Sequence, residues 1–328
     1  MIGLGLIFTL LEGALMFRRS GKHALSNARA DEVDCAPDKN SDHPEIKTVF
    51  VDRSVLEVLN GRQGLADYVK HLWNTRHFLT AQARTSAFTG GQGTFLGKMW
   101  LVLDPVFQVA IYALVFGLIL KTHRGIDNFL GFLTLGVVFF RFLTAGLTNG
   151  SGLIQRNRNI ISSFDFPRAA IPIGTGIRSL YSNSIPAAVA VVLAIAFQKA
   201  EGLTWAVLGV VPLYFLIHIW ATGATFVTSR ITAFVPDAKN LIRVGVQGLF
   251  FLSGLFYSVE RFEGHLVLST IMKINPLYQF LNAVRTCVLD GIFPPIGQWA
   301  YLVGWSVGLF ICGFIYFWRA DGAYARVK

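Results

Sequence analysis

Charge is scarce in this sequence, and its scarcity excludes an ordinary soluble fold. Charged residues make up 15% of the 328 residues and hydrophobic residues 53%, whereas about a quarter of the residues in soluble domains carry charge. The surplus apolar surface must therefore face lipid. Phenylalanine, with 28 residues, outnumbers tyrosine and tryptophan together, as expected where most rings face hydrocarbon and few lie at the water boundary.

Paired cysteines and clustered metal ligands are also missing. Cys35, Cys287 and Cys312 lie far apart and show no Cys-x-x-Cys or Cys/His spacing, so neither a zinc site nor a disulfide framework is predicted. We interpret the cysteines as packing residues. The seven histidines form no cluster and acids are sparse near the apolar segments, so the sequence offers no metal site and no catalytic residues.

The sequence also lacks a P-loop. Its nearest approach is the glycine-rich stretch 90–93, which is followed by Gly97-Lys98. A P-loop needs glycine five residues before the Gly-Lys pair and serine or threonine after it, but Gln92 and Met99 occupy those places. We therefore expect no ATP and no other cofactor on this chain.

Six apolar segments are each close to the length that a hydrocarbon core of roughly 30 Å requires. They are residues 101–120, 129–148, 175–197, 203–228, 241–259 and 299–318. The net charge of +10 comes from basic residues that flank these segments, which indicates contact with anionic lipid headgroups rather than nucleic acid. The bias of these residues toward one side of the membrane predicts that both termini are cytoplasmic.

Residues 1–62 are predicted to be an N-terminal extension. The apolar stretch 1–17 contains Glu12 and precedes Arg18 and Arg19, which is the reverse of the charge order in a signal peptide. An interfacial helix and an extension from an early start codon both remain open for this stretch. The polar, mixed-charge residues that follow favour a flexible cytoplasmic tail.

Residues 63–100 are predicted to hold an amphipathic helix and a linker. Apolar side chains share one stripe of the helix: Leu65, Val69, Leu72 and Leu79. Aromatic and basic side chains suited to a headgroup boundary accompany them: Trp73, Arg76 and Phe78. Such a helix should lie in the membrane surface, and the alternative is a soluble helix packed on a neighbouring domain.

Two apolar pieces between the fifth and sixth segments are too short to cross a membrane. Leu266–Ile274 and Leu277–Leu289 reach only about 14 and 20 Å as helices. Asn275-Pro276 separates them, and proline disfavours helix at the residue before it. A re-entrant hairpin is predicted, with a simple extracellular loop as the alternative. Arg285 falls off the apolar stripe of the second piece, so we expect it to face an aqueous exit.

Several short strings, in this order around the apolar segments, resemble the permease subunits of ABC transporters that export cell-surface polysaccharides of the O-antigen, teichoic acid or galactan type. The strings are Leu96-Gly97-Lys98-Met99-Trp100 with Asp104-Pro105, Asn157 with Phe166-Pro167-Arg168, and Asn275-Pro276 with Arg285. The resemblance covers residues 65–320, and Arg141 departs from it because an apolar or aromatic residue is expected there.

The resemblance implies an all-α membrane protein with six transmembrane helices, an N-terminal interfacial helix and a re-entrant hairpin between the fifth and sixth helices. The permease domain would span 101–320 and a cytoplasmic tail 321–328. The implied assembly is a homodimer with two copies of a separate ATP-binding subunit, which would hold ATP and Mg. The implied substrate is a glycan linked to polyprenyl diphosphate, moved outward across a bacterial cytoplasmic membrane. This chain would then be a transport subunit and not an enzyme.

The inner loop 149–167 is the candidate for coupling to the ATPase, because apolar positions alternate there with basic and polar ones. The residues assigned to this role are Arg156, Asn157, Arg158, Phe164, Asp165, Phe166 and Pro167. The alternative is a basic loop that only fixes topology. A second inner loop, Arg230 to Arg243, is a further candidate of the same kind.

A conduit for sugars should be lined by aromatic rings, whose faces stack on sugar rings. Candidates by type and depth are Tyr112, Phe139, Phe140, Tyr181, Trp220 and Tyr257, with lipid-facing or core packing as the alternative. Arg141 lies near the centre of the second segment, where an arginine costs about 2.5–3.5 kcal/mol on insertion scales. It is expected either to meet an anionic ligand such as a lipid diphosphate or to pair with an acid such as Asp104.

Two other functions remain open from the sequence. A permease of the same architecture that exports drugs or lipids would share the six segments. A membrane-embedded glycosyl or lipid-phosphate transferase would need clustered acids or histidines at the membrane face, which the sequence does not supply.

Overall fold

The computed structural model describes residues 64–89, 99–115, 128–163, 166–198, 204–256 and 266–326, and within these ranges the chain forms helices and no strand. In chain order the helices are α1 (Leu65–Asn74), α2 (Arg76–Thr89), α3 (Trp100–Ala113), α4 (Phe129–Gly150), α5 (Leu153–Arg156), α6 (Arg158–Ser163), α7 (Ala170–Ala196), α8 (Val210–Phe234), α9 (Ala238–Leu252), α10 (Leu266–Ile274), α11 (Pro276–Val288) and α12 (Ile296–Trp318). Short 3-10 turns, Trp205–Gly209 and Asp321–Arg326, precede α8 and follow α12. The predicted N-terminal extension lies outside the described residues.

Four helices are long and apolar enough to cross a bilayer: α4, α7, the continuous stretch Trp205–Phe234 and α12. They coincide with the second, third, fourth and sixth predicted segments, although α7 begins at Ala170 rather than at 175. The first segment corresponds to α3, which has 14 described residues. Its continuation beyond residue 115 lies outside the described ranges.

The fifth predicted segment differs in the structure. It was expected to be one apolar helix over 241–259, but α9 begins at Ala238 and ends at Leu252. The chain then turns at Gly254, whose backbone is in a left-handed conformation with φ of 64°. Residues other than glycine rarely adopt this conformation. As a result α9 has 15 residues, and the four helices above remain the candidate spans among the described residues.

Glycine allows α4 and α8 to pack with their backbones in contact. A methyl group added to Gly146 would lie 1.9 Å from the Ala221 carbonyl oxygen. The hydroxyls of Thr225 and Thr228 both donate to the Gly146 carbonyl, at 3.2 and 3.3 Å. Small residues and interhelical hydrogen bonds replace the hydrophobic driving force that is missing between helices in lipid.

Glycine also allows α8 and α12 to pack with their backbones in contact. A methyl group on Gly313 would lie 2.6 Å from the Gly223 carbonyl oxygen. Aromatic rings of α12 surround the fully buried Phe226 of α8, with ring centroids 5.5 to 5.8 Å apart. The helix α8 therefore forms the centre of the described bundle, between α4 on one side and α12 on the other.

The predicted amphipathic helix is two helices in the structure. It breaks at Thr75, whose hydroxyl donates to the His71 carbonyl at 2.9 Å. The inward residue of α1 is Tyr68, which is buried, while Leu65 and Val69 of the predicted apolar stripe are exposed. The predicted single helix is therefore interrupted at Thr75, and its place in the membrane surface stays a prediction. On α2, Leu79, Ala83 and Ala87 are buried, and Leu79 lies against Gly174 of α7.

Candidate substrate cleft and coupling surface

A cleft of about 370 Å³ lies between α3, α4 and α9. Its lining combines apolar side chains with a few polar ones: Gln108, Ile111, Val137, Phe140, Arg141, Thr144, Val246 and Phe250. The rings of Phe140 and Phe250 meet edge to face, with centroids 5.5 Å apart. Ligand sites commonly have this character, with apolar walls and a small number of polar groups.

Arg141 forms an ion pair at the edge of this cleft. Its Nη1 donates to the Asp104 Oδ2 at 2.7 Å, and the two side chains remain 49% and 47% exposed. The structure therefore contains the acidic partner that the sequence offered as one alternative. Neither side chain is enclosed in the core, so the pair stays open to a ligand. It leaves a guanidinium and a carboxylate accessible in the same place.

The structure separates the ring residues that the sequence grouped as a conduit. Phe140 lines the cleft beside Arg141, whereas Phe139 is fully buried in the core. Trp220 is also buried, and it packs against Phe280 and Trp305. Phe139 and Trp220 thus pack inside the described bundle, and neither lines the cleft.

Three residues of the conduit prediction remain. Tyr181 is partly buried on α7 and does not line the cleft. The side chain of Tyr112 and the whole of Tyr257 lie outside the described residues. The sequence did not identify Gln108, Thr144 or Phe250 as lining residues, although the spacing of Asp104 and Gln108 places both on one face of α3.

The predicted coupling loop forms the two short helices α5 and α6. Gly152 starts α5 with φ of 72°, and Leu153, Ile154 and Ile161 are buried. Arg158 and Ile160 are exposed. The buried side chains therefore anchor one side of the loop, and the opposite side is exposed. We call the exposed side of α5 and α6, together with the start of α9, the coupling surface.

The remaining residues of this prediction have mixed positions. Arg156 is exposed and donates to the carbonyls of Ser151 and Asn149, at 2.9 and 2.7 Å. Asn157 donates to the Leu153 carbonyl at 2.9 Å. Phe166 is partly buried and Pro167 is buried. Phe164 and Asp165 lie outside the described residues.

The two predicted inner loops meet at this end of the bundle. The Gly152 N–H donates to the Thr232 hydroxyl at 2.9 Å, and Gln155 Nε2 donates to the Thr232 carbonyl at 2.6 Å. The side chain of Lys239, in the first turn of α9, lies over Gly152, where a methyl group would come within 2.7 Å of it. The second loop is thus a structural neighbour of the first, which sequence spacing alone did not indicate.

A polar cluster at the same end joins three distant parts of the chain. The Tyr68 hydroxyl donates to Asp321 Oδ1 at 2.7 Å and accepts from the Ala169 N–H at 2.9 Å. Arg168 pairs with Asp321 Oδ2 at 3.0 Å and also donates to the Asp321 carbonyl. No motif or spacing in the sequence indicated a site at Tyr68 or Asp321.

Asn275 and Pro276 lie between the two short helices, as the sequence predicts, whereas Arg285 does not face an exit. Asn275 separates α10 from α11, its side chain accepts from the Leu277 N–H at 3.1 Å, and Pro276 is the first residue of α11. Arg285 was expected to face an aqueous exit, but it is 4% exposed. The expectation failed because the polar side of α11 is covered by Phe132 of α4 and by the turn after α9.

Comparison with known proteins agrees with the resemblance found in the sequence. The sequence profile of the ABC-2 type transporter family matches residues 91–289, which is more than half of the chain. The chain is 21% identical over 227 residues to the O-antigen export system permease protein RfbA of Myxococcus xanthus, covering 69% of this chain and 85% of the relative. It is 23% identical over 200 residues to a protein of the same name from Klebsiella pneumoniae, covering 61% and 75%. The chain therefore belongs to the ABC-2 type transporter family.

Proposed function

We propose that this chain is the membrane subunit of an ATP-driven exporter that moves a cell-surface polysaccharide, linked to polyprenyl diphosphate, from the cytoplasm to the outer side of the membrane. The family implies an ATP-binding partner, and the names of the relatives indicate O-antigen export for those proteins. We propose a homodimer with two ATPase copies, six spans, cytoplasmic termini, and ATP and Mg on the partner. Teichoic acid and galactan belong to the same proposed substrate class.

The observation that carries the proposal is the half-exposed pair of Arg141 and Asp104 beside the rings of Phe140 and Phe250. A charge at this position along a span is too costly to face lipid, so it must face water, protein or an anionic ligand. The diphosphate of the carrier lipid suits the guanidinium, which binds phosphate oxygens through two parallel N–H groups. The rings supply apolar faces for sugars.

We further propose that the coupling surface docks on the ATPase and that α1 lies in the membrane surface. The exposed side of α1 carries Leu65, Val69 and Trp73. Arg76 stacks over the Trp73 ring at 4.7 Å. Aromatic and basic side chains of this kind are typical of helices at the headgroup boundary. The hairpin of α10 and α11 is proposed to be re-entrant at the outer side.

The cleft proposal is tested by changing Arg141 in cells or vesicles that export the glycan. Because a hydrogen bond to a charged group contributes about 1.5–3 kcal/mol, Arg141→Ala is expected to lower the rate of export by about tenfold or more. Arg178→Ala is the control, because Arg178 is an exposed arginine of α7 that does not line the cleft. Normal export by Arg141→Ala, at normal membrane levels, would refute the role of this cleft.

A further inference from the structure

The guanidinium of Arg285, on α11, is buried against α4 and the turn after α9, where backbone carbonyls accept its hydrogen bonds. Its Nη1 donates to the Gly254 carbonyl at 2.9 Å and its Nη2 to the Leu255 carbonyl at 3.2 Å. Its Nε donates to the Phe132 carbonyl at 3.3 Å. One side chain of α11 therefore holds both α4 and the turn that follows α9.

Among the described residues, no carboxylate forms an ion pair with Arg285. Its guanidinium carbon lies 3.4 Å from the ring centroid of Phe132, a contact that strengthens when it is removed from water. The two ion pairs found in the described ranges are Arg141 with Asp104 and Arg168 with Asp321, so neither involves Arg285. Carbonyl dipoles and a ring face hold this charge, and each of them belongs to an element other than α11.

Gly136 of α4 leaves the space that the guanidinium fills. A methyl group added to Gly136 would lie 2.3 Å from Arg285 Nη2 and 3.5 Å from the Leu255 carbonyl oxygen. Gly136 and Arg285 are both buried, so an added methyl group would have to displace the guanidinium. The glycine and the arginine are therefore matched to each other across the interface between α4 and α11.

The opposite end of the hairpin is fastened separately. Gln279 donates to the Lys273 carbonyl at 2.6 Å, which closes the turn between α10 and α11. Gln298 of α12 donates to the Gln279 carbonyl at 3.1 Å, and Tyr301 of α12 donates to the Ile274 carbonyl. The turn is thus attached to α12, while Arg285 attaches the body of α11 to α4.

We propose that Arg285 is a positioning residue for export. It holds the exit hairpin in its resting position against α4, with its guanidinium in the space that Gly136 leaves. This inference rests on the proposed function, in which the hairpin borders the exit. Because one planar group makes all three hydrogen bonds, a shift of α11 along α4 breaks them together. Lysine cannot replace it, since an ammonium is a compact charge without the planar fork of donors.

The test measures how freely the hairpin moves in the full-length protein. A reporter cysteine replaces Met272, which is 2% exposed on α10 and is therefore labelled only when the hairpin moves, in a background from which the three natural cysteines have been removed. The protein is reconstituted in lipid vesicles, and the rate of labelling by a membrane-impermeant maleimide is measured. The variants are Arg285→Lys, Gly136→Ala and the double variant.

Two control variants match these changes. Gly304→Ala places a methyl group in open space on α12, and Arg178→Lys changes an exposed arginine on α7. Both are expected to label the reporter at the rate of the unmodified protein. Thermal unfolding of every variant, measured before reconstitution, identifies any that does not fold. If Arg285→Lys does not fold, the comparison of Gly136→Ala with Gly304→Ala carries the test.

Arg285→Lys and Gly136→Ala are each expected to raise the labelling rate by about threefold or more, and the double variant is expected to label no faster than Arg285→Lys, because both changes remove the same contact. Unchanged labelling in both single variants, or effects that multiply in the double variant, would overturn the proposal. Labelling needs no glycan and no ATPase. If labelling changes as expected but the unmodified protein exports no polysaccharide, the proposed function fails while the positioning role of Arg285 stands.

Discussion

The Tyr68 hydroxyl donates a 2.7 Å hydrogen bond to the carboxylate of Asp321, a residue 253 positions further along the chain. Burial first, and the charge of Asp321 second, raise the pKa of Tyr68 above its ordinary value, so the hydroxyl stays protonated and able to donate. The same oxygen accepts from the Ala169 N–H. The first described helix is thereby fixed to the residues that follow the coupling loop and to the 3-10 turn at the end of α12.

Tyr68→Phe removes both of these hydrogen bonds and leaves the Ala169 N–H without its acceptor. Because an unsatisfied buried group costs about 1–3 kcal/mol, the variant is expected to unfold at a lower temperature than the unmodified protein in detergent. Asp67→Asn, a change at an exposed neighbour on α1, is the control and should unfold normally. Equal unfolding temperatures for Tyr68→Phe and the unmodified protein would show that the cluster is not stabilising.

The contribution of Tyr68 should also depend on pH in a defined direction. Its pKa is raised in the folded state, so folding favours the neutral phenol. The stabilisation is then complete below about pH 10, the ordinary pKa of tyrosine, and fades as the pH rises further. The difference in stability between the unmodified protein and Tyr68→Phe is expected to stay constant from neutral pH up to that point and to shrink above it.

Gly146→Ala is expected to disrupt the packing of α4 on α8. The new methyl group would lie 1.9 Å from the Ala221 carbonyl oxygen, so the helices must separate and the hydrogen bonds from Thr225 and Thr228 must lengthen. Overpacking of this kind costs about 1–3 kcal/mol or more. Gly304→Ala, where the methyl group meets open space, is the matched control. The yield of monodisperse protein and its unfolding temperature should fall for the first variant and not for the second.

Arg158→Glu tests the coupling surface. Arg158 is exposed on α6 while Ile154 and Ile161 anchor the loop beneath it, so reversing its charge should leave the permease folded. The variant is expected to recover less of the ATPase partner when the complex is purified and to lose export. Arg84→Glu, at an exposed position on α2, should change neither. Recovery of the partner and export at unmodified levels in Arg158→Glu would restrict the loop to a role in topology.

Single cysteines test the proposed placement of the hairpin in the membrane. A cysteine at Ile271 on α10 is expected to react with impermeant thiol reagents from outside intact cells, and a cysteine at Arg158 only after the cytoplasmic side is opened. Both side chains are exposed. A cysteine at either position that does not react therefore lies on the side of the membrane opposite the reagent. Labelling of the Ile271 position from the cytoplasm would contradict the re-entrant hairpin and the proposed six spans.

Features encoded by neighbouring residues could be predicted from the sequence. The end of α10 and the start of α11 followed from Asn275-Pro276, because proline favours the first position of α11 and asparagine caps that helix. The four long apolar helices followed from length and composition. The acid near Arg141 was foreseeable because an arginine at that position along a span needs a partner.

Features that depend on which helix faces meet could not be predicted in the same way. Arg285 lies on the polar side of α11, and nothing in its neighbours along the chain tells that Phe132 and Gly254 cover that side. The cleft needs α3, α4 and α9 together, and the Tyr68–Asp321 contact joins the two ends of the described chain. Leu65 and Val69 are a further example. Their spacing predicts an apolar stripe on a helix, but it does not tell whether protein or another environment contacts that stripe, and both side chains are exposed in the structure.

Reconstitution of the proposed complex in vesicles tests directly whether it exports a lipid-linked polysaccharide. The chain and the proposed ATPase partner are placed in vesicles that carry a lipid-linked polysaccharide in the leaflet facing the ATPase, and transfer of the glycan to the opposite leaflet is followed after ATP is added. Transfer is expected to require ATP, the second polypeptide and the Arg141 side chain, with no ATP hydrolysis by the permease alone. Hydrolysis by the purified permease, or an active complex that leaves the glycan in its original leaflet, would contradict this expectation.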